Sequence, residues 1–208
     1  MKHTAITILV LAILSACGGK NAGNSSFVPA RQDWTVDVYA LENYDEIMTD
    51  CIAAADDRIM REAFRYTNST PLSDTARVNR AIRDNIEVFD SLGVNAAWMP
   101  CGDSANVSLV LLDSDALLSD TIHACQITDC PDGDESVLVA FSFNNRHEWE
   151  FLTRARVGHR IAVAVNGEVV NTPVVNRPVS GGGCTVVVPE HLARRIFYGA
   201  GLSMRKND

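Results

Sequence analysis

The chain has 208 residues, which is enough for one well-buried domain or two small ones, because domains run to roughly 100–200 residues. Hydrophobic residues make up 47% and charged residues 21%, a composition that is ordinary for a globular protein and excludes wholesale disorder. The 18 basic and 26 acidic side chains give a net charge of −8, which excludes a general electrostatic attraction to nucleic acid or anionic lipid. We therefore expect no nucleic-acid partner.

Residues 1–16 are predicted to be a lipoprotein signal peptide. Lys2 and His3 precede the apolar stretch Ala5–Ala16 (AITILVLAILSA), which is shorter than the roughly 20 apolar residues of a membrane-spanning helix. The stretch runs into Leu14-Ser15-Ala16-Cys17, which resembles a bacterial lipobox, where the Cys17 thiol accepts the lipid. The alternative is ordinary cleavage that leaves Cys17 as a free thiol.

Residues 17–33 are predicted to be a flexible tether, because Gly18–Ser26 (GGKNAGNSS) is small and polar. No other segment approaches membrane-spanning length. Acyl chains on Cys17 would therefore be the anchor that holds the protein in the cell envelope. The membrane is the expected partner of the N-terminal end of the chain. By resemblance to lipoproteins of bacteria with two membranes, Gly18 after the cysteine implies a periplasm-facing anchor at the outer membrane.

An exported protein can keep disulfide bonds, so the number of cysteines limits which bridges can form. Five cysteines remain beyond the lipobox, so at least one thiol stays free or pairs with another chain. Cys125 and Cys130 flank a short loop and form the first expected bridge. Cys51 with Cys101 is the second.

Two metal sites are conceivable from the sequence. His123, Cys125 and Cys130 could supply three zinc ligands, but zinc sites usually have two tight ligand pairs, and only one loose cluster is present. An acidic cluster could hold calcium, but its spacing does not match an EF-hand. That cluster comprises Asp129, Asp132, Asp134 and Glu135. We expect neither a metal nor a cofactor.

Residues 34–125 are predicted to form a first α+β region. Loosely alternating, β-branched runs indicate strands, and the stripe of Val78, Ile82, Ile86 and Phe89 indicates a buried helix face that ends at Gly93. The predicted elements are a strand at Trp34–Leu41, a helix from Asn43 through Phe64, a helix from Ser73 or Asp74 to Leu92, strands at Val94–Met99 and Val107–Leu112, and a short helix at 115–124.

Residues 126–136 (QITDCPDGDES) are predicted to be a linker, followed by a second α+β unit at 137–204. After a strand at Val137–Phe143, Asn145 is expected to cap a helix, with Glu148 as reciprocal partner. The inward face of this helix is expected to carry Trp149, Leu152 and Ala155, and Gly158 to end it.

The rest of the second unit contains the strongest local signal. Asn166-Gly167, between the runs 161–165 and 168–170, predicts a hairpin because both turn positions need positive φ. Pro173 marks an edge strand or a strand end, and Gly181–Gly183 is predicted to be a mobile loop. The last elements are expected to be a strand at Thr185–Val188 and a helix from Pro189-Glu190 that buries Leu192, Ile196 and Phe197.

Residues 141–183 (FSFNNRHEWEFLTRARVGHRIAVAVNGEVVNTPVVNRPVSGGG) resemble the head subdomain of the large periplasmic domain of SecD, the membrane-embedded accessory subunit of the bacterial Sec translocase. The matching positions are Phe143, Phe151, Leu152, Thr153, Val157, Gly158, Asn166, Gly167, Val169, Thr172, Pro173, Gly181 and Gly182. The predicted helix that closes on Ser91-Leu92-Gly93-Val94 and the two strands after it are more weakly similar to the base subdomain of that family. Residues 34–125 are therefore expected to form a base-like region. The resemblance implies an α+β fold with mixed or antiparallel sheets packed on helices, and a surface that holds unfolded polypeptide. The membrane helices that carry SecD's proton-coupling residues have no counterpart in this sequence.

No catalytic residue is predicted. Ser180 lies beside three glycines, but neither the Gly-x-Ser-x-Gly elbow nor the lysine of a phosphate-binding loop is present. Cys184 is either a reactive thiol or a buried, inert cysteine, and the latter is favoured. The histidines His123, His147, His159 and His191 are scattered along the chain.

The sequence thus predicts a non-enzymatic envelope lipoprotein that binds polypeptide or another envelope protein, with a link to protein export. Binding would use edge-strand pairing beside Pro173 and a loop of Ser180, Gly181, Gly182 and Gly183, with main-chain hydrogen bonds providing affinity. One alternative is a thiol/disulfide-active protein that uses Cys125 and Cys130. Another is a purely structural envelope component.

Overall fold

The computed structural model describes residues 28–29, 34–42, 70–101, 105–129 and 136–197. These residues form an α+β fold with antiparallel sheets, as predicted. The strands are β1 Val28–Pro29, β2 Thr35–Ala40, β3 Thr70–Pro71, β4 Val94–Pro100, β5 Asn106–Asp113, β6 Leu118–Asp129, β7 Ser136–Phe143, β8 Ile161–Val165, β9 Glu168–Asn171 and β10 Gly183–Pro189, and the helices are α1 Thr75–Asp84, α2 Ile86–Leu92, α3 Arg146–Ala155 and α4 Glu190–Phe197. In these ranges no helix combines the length and apolar character needed to cross a bilayer.

The larger sheet has the strand order β10-β7-β6-β2-β8-β9, and β1 also pairs with β6. Helices α3 and α4 pack on one face of this sheet and bury the main core. That core contains Phe141 and Phe143 of β7, Trp149 of α3 and Leu192 of α4. The rings of Phe143 and Trp149 are stacked, with centroids 4.4 Å apart.

The smaller sheet, β3-β5-β4, covers part of the opposite face of the larger one. Val110 and Leu112 of β5 pack against Ala162 and Ala164 of β8, and the other face of the smaller sheet packs on α1 and α2. All five residues of β8 are therefore buried. The order of layers is helices, large sheet, small sheet, helices.

Strand β6 corrects two predictions. The short helix expected at 115–124 is wrong, because Leu118–Asp129 is a continuous strand paired with β2 and β7. The linker expected from residue 126 is wrong for 126–129, while 130–135 lie outside the described residues. Since β2 and β6 pair with β8 and β7, the two predicted regions share one sheet and one core.

The helix predicted to end at Leu92 is two helices, separated at Asn85. The side-chain amide of Asn85 donates to the carbonyl of Ala81 at 2.9 Å, which competes with the helical pattern. The break turns Ile86 outward, where it is 47% exposed rather than buried. The predicted stop at Gly93 is confirmed, with φ of 65°.

Only one of the two hydrogen bonds predicted for the N-terminal cap of α3 is confirmed. Asn145 Oδ1 accepts from the backbone N–H of Glu148 at 3.3 Å, as predicted. The reciprocal partner is Asp120, whose Oδ2 accepts from the backbone N–H of Asn145 at 2.7 Å, and not Glu148. Ala155, expected to face inward, is exposed, and Thr153 is buried in its place.

The Asn166-Gly167 hairpin between β8 and β9 is confirmed, with φ of 50° and 79°. At the N-terminus, Val28 and Pro29 fall in the predicted tether but form β1 against β6. The signal peptide, Cys17 and the helix predicted at Asn43–Phe64 lie outside the described residues.

Candidate functional site

The two edge strands of the larger sheet, β9 and β10, lie near each other, so the sheet almost closes on itself. Asn171 at the end of β9 donates from Nδ2 to the carbonyl of Val187 in β10 at 3.1 Å. Glu168 of β9 also pairs with Arg195 of α4. Beyond Asn171 the two edges enclose a cavity of about 60 Å³, which we call the β9–β10 cleft.

One wall of the cleft is the segment that follows β9. Pro173 O accepts from the N–H of Ile161 at 3.0 Å, and Val175 N–H donates to His159 O at 2.9 Å. Both residues thus direct their main-chain groups toward β8. Val174 lies between them and bridges to Arg160, and because neighbouring residues of an extended chain alternate, its N–H and C=O face the cleft.

The other wall is the outer edge of β10. The carbonyl of Gly183 accepts from Trp149 Nε1 at 3.2 Å, and that of Val187 accepts from Asn171. Both groups point away from β7, the sheet partner of β10. Thr185 lies midway between Gly183 and Val187, so its N–H and C=O face the same open edge. The main-chain groups of Thr185 and Val174 therefore line one cleft from opposite sides.

Helix α3 holds this arrangement through Thr153, a buried polar residue in contact with the cleft. Its hydroxyl accepts from the backbone N–H of Val179 at 2.9 Å. The same oxygen lies 3.0 Å from the carbonyl of Trp149 and 3.1 Å from that of Glu150, either of which can accept its proton. The buried hydroxyl of Thr153, which both accepts and donates a hydrogen bond, thus connects the segment after β9 to α3. The sequence analysis did not identify Thr153 and Trp149 as parts of the site. The available signal was the hydroxyl of Thr153, which lies four residues after Trp149 on the helix face that was expected to point inward.

The predicted mobile loop is a 3₁₀ turn at Ser180–Gly182 followed directly by β10, which begins at Gly183. Gly181 and Gly182 adopt φ of 86° and 74°, which favours glycine. Gly182 is buried, and a Cβ placed on it would lie 2.4 Å from Arg146 Cγ.

The structure brings only part of the predicted binding loop together. Pro173 and Gly183 line the cleft, and Gly182 packs beside it on α3. Ser180 and Gly181 are exposed and are not among the lining residues.

The two predicted disulfides are not formed, because Cys101, Cys125 and Cys184 are free thiols. Cys51 and Cys130 lie outside the described residues. Cys125 is 0% exposed in the main core, and burial raises the pKa of its thiol to about 12. A protonated, inaccessible thiol is a poor nucleophile, which contradicts the use of Cys125 in thiol/disulfide exchange. Burial likewise raises the pKa of Cys184 to about 12.

The metal hypotheses gain no support from the described residues. His123 is exposed while Cys125 faces the core, so the two do not converge. Among the residues described, no group of three or more His, Cys, Asp or Glu side chains is placed to hold a metal ion. The proposed calcium cluster, including the side chain of Asp129, lies outside them. Exposed histidines occur at His147, His159 and His191.

No family model matches the chain, and no curated protein matches it. Solved structures of SecDF do match. A membrane component SecDF that enhances protein export is 16% identical over 75% of this chain and 55% of that chain, with a TM-score of 0.36. SecDF in its super-membrane-facing form is 15% identical over 76% of this chain and 26% of that chain, with a TM-score of 0.32. SecDF of Thermus thermophilus, a translocon-associated membrane protein, is 15% identical over 82% of this chain and 27% of that chain, with a TM-score of 0.30.

The matched region therefore spans about half of one of these chains and about a quarter of the other two. The sequence resemblance led us to expect a SecD-like architecture, and the likeness to the solved structures concerns the fold alone. It assigns neither family membership nor a role in export.

Proposed function

We propose that this chain is a non-enzymatic, lipid-anchored envelope protein that binds an extended segment of polypeptide in the β9–β10 cleft. The observation that carries the proposal is the pair of main-chain edges at Val174 and Thr185. Their N–H and C=O groups face the cleft from opposite walls, and neither residue directs them at a partner within the described part of the chain. A polypeptide strand supplies the donors and acceptors that such edges lack.

The floor of the cleft favours a peptide over a cofactor. Trp149, Ile161 and Val175 line it with apolar surface. Its volume of about 60 Å³ is several times smaller than the roughly 300–1,000 Å³ of pockets that hold small-molecule ligands. One aliphatic side chain of a bound strand fits this space, while its backbone pairs with the walls.

The decisive test removes one main-chain donor while leaving the sheet intact. Thr185→Pro deletes the N–H that faces the cleft, and because that N–H points away from β7, the pairing of β10 with β7 is retained. Thr185→Val is the matched control, since it changes only the side chain. Binding of an unstructured peptide of alternating valine and serine is followed by titration in amide NMR spectra.

We expect the Val variant to bind like the wild type and the Pro variant to bind about tenfold more weakly or not at all, because a hydrogen bond is lost and the proline ring obstructs the edge. Thermal unfolding checks that both variants are folded. Equal binding by the two variants, or no binding by the wild type, rejects the proposal.

The anchor is proposed separately, from the predicted signal peptide. Metabolic labelling with palmitate should mark the wild-type chain and should not mark Cys17→Ala. Unchanged labelling of the variant would exclude lipidation at this position. We propose exported or envelope polypeptides as the natural occupants of the cleft, in keeping with the predicted location and with the sequence resemblance to the SecD head.

A further inference from the structure

We infer that the β9–β10 cleft selects segments in which an acidic residue adjoins a small aliphatic one, an inference that rests on the proposed function. Arg177 is the only charged residue among those that line the cleft in the described part of the chain. The segment 146–185, which supplies the lining residues, contains five arginines and three glutamates, a net charge of +2. The whole chain has a net charge of −8, so the segment that builds the cleft is positively charged within an acidic protein.

Two further arginines lie behind the walls. Arg160 donates from its guanidinium to the carbonyl of Thr172 at 2.9 Å, just before the wall formed by Pro173. The aliphatic stem of Arg146 packs on Gly182, just before β10. Their charges add to the field at the cleft mouth, where Arg177 is exposed.

Two of the three glutamates in this segment are paired with arginines. Glu150 is engaged by Arg154 at 2.9 Å, and Glu168 pairs with Arg195. The remaining one, Glu148, is exposed at the start of α3. None of the three glutamates lines the cleft.

The chemistry of the occupant follows from strand geometry. Successive side chains of an extended peptide point to opposite faces, so when one enters the apolar floor, its neighbours point outward to the mouth. A guanidinium offers five N–H donors in a planar arrangement that matches a carboxylate. Arg177 can therefore bind a carboxylate of the peptide while it keeps an intramolecular contact. A glutamate next to the buried aliphatic residue is thus favoured, and a lysine there is disfavoured.

The test uses three peptides that share a central valine and carry Glu, Gln or Lys beside it. In amide NMR titrations of the full chain, we expect the Glu peptide to bind about 3- to 5-fold more tightly than the Gln peptide, as befits an exposed ion pair, and the Lys peptide to bind more weakly. Raised salt should reduce the difference. Arg177→Gln should abolish the preference for the Glu peptide over the Gln peptide. Arg154→Gln, which removes a charge engaged on α3, is the matched control and should keep the preference.

The outcomes separate the two proposals. If the Glu and Gln peptides bind equally and Thr185→Pro weakens both, the acidic preference is wrong and the peptide-binding function stands. A Glu preference that survives Arg177→Gln also overturns the inference. If none of the peptides binds the wild-type chain, the proposed function itself fails.

Discussion

Gly182→Ala should destabilise the fold far more than the same change at the preceding glycine. Gly182 has φ of 74°, and an added Cβ would lie 2.4 Å from Cγ and 3.0 Å from Cβ of Arg146. Gly181 has φ of 86°, but an added Cβ there meets nothing within 4 Å. The two substitutions therefore share the backbone strain and differ in the contact with α3.

The expected free energies follow from these distances. A non-glycine residue at positive φ costs about 1–2 kcal/mol, which applies to both variants. Overpacking adds about 1–3 kcal/mol at Gly182 only, since Arg146 Cβ is fixed to the backbone of α3 and cannot swing away. We expect Gly181→Ala to lower the free energy of unfolding by about 1–2 kcal/mol and Gly182→Ala by about 2–5 kcal/mol.

Urea unfolding followed by tryptophan fluorescence measures both values, because Trp149 stacks on Phe143 and is bonded to β10 through Gly183. A double-variant cycle isolates the contact. Gly182→Ala should cost less in an Arg146→Ala background, since the Cγ that approaches most closely is then absent. Equal costs for the two glycines, or a cost at Gly182 that is unaffected by Arg146→Ala, would refute the proposed packing.

Three other predictions concern the walls of the cleft and a thiol in it. Thr153→Val leaves the N–H of Val179 without its acceptor and should lower the free energy of unfolding in urea by about 1–3 kcal/mol. Thr153→Ser should restore most of this loss. A Val variant as stable as the wild type would contradict the hydrogen bond between Thr153 and Val179. Asn171→Ala removes the donor to the carbonyl of Val187, so we expect about 1 kcal/mol lower stability and faster hydrogen exchange in β10, and unchanged exchange would count against this link. Burial raises the pKa of Cys184 from 9.0 to about 12, so its contribution to stability is complete below pH 9 and is lost as the pH rises toward 12. Cys184→Ala should therefore flatten the pH dependence of the urea midpoint between pH 9 and pH 12. An unaltered slope would show that the Cys184 thiol does not cause this pH dependence.

The sequence predicted the elements that local chemistry specifies. Asn166-Gly167 needs positive φ at both positions, Asn145 can cap only a helix that begins directly after it, and Gly93 ends a helix by its own backbone preference. These features depend on residues within one turn, so they can be recognised before any tertiary contact is known.

Strand β6 could not be recognised in this way. A bulge between Ile122 and Ala124 places Ile122 and Cys125 in the same core, although they are three residues apart. That spacing is typical of a helix and conceals the alternation of a strand. The strands that pair with β6 are β2, which is distant in sequence, and β7, which follows an acidic segment without a clear secondary-structure pattern.

The candidate site was half predictable for the same reason. Pro173 and the glycines are local signals, and Pro173 and Gly183 line the cleft in the structure. The cleft itself depends on the curvature of a sheet that brings β9 to β10, and on contacts across it from Trp149 and Thr153. Sequence patterns do not report how far a sheet curls, so the two facing edges could be found only in the structure.

The size of the open edge limits how tightly a peptide can bind. On β10 the carbonyls of Gly183 and Val187 are already occupied by side chains, which leaves Thr185 as the pairing residue between them, opposite Val174. A short, capped edge of this kind also protects the sheet from pairing with other copies. At most four main-chain hydrogen bonds are available, worth about 0.5–1.5 kcal/mol each.

One buried aliphatic side chain adds about 1.5–3 kcal/mol, and association costs at least about 4 kcal/mol. The net free energy is then no more favourable than about −5 kcal/mol, which corresponds to a Kd of hundreds of micromolar or weaker. Peptide titrations should find affinities in this range and rapid exchange between free and bound states. A nanomolar Kd would require a far larger interface than Val174 and Thr185 provide, and would place the binding surface elsewhere on the molecule.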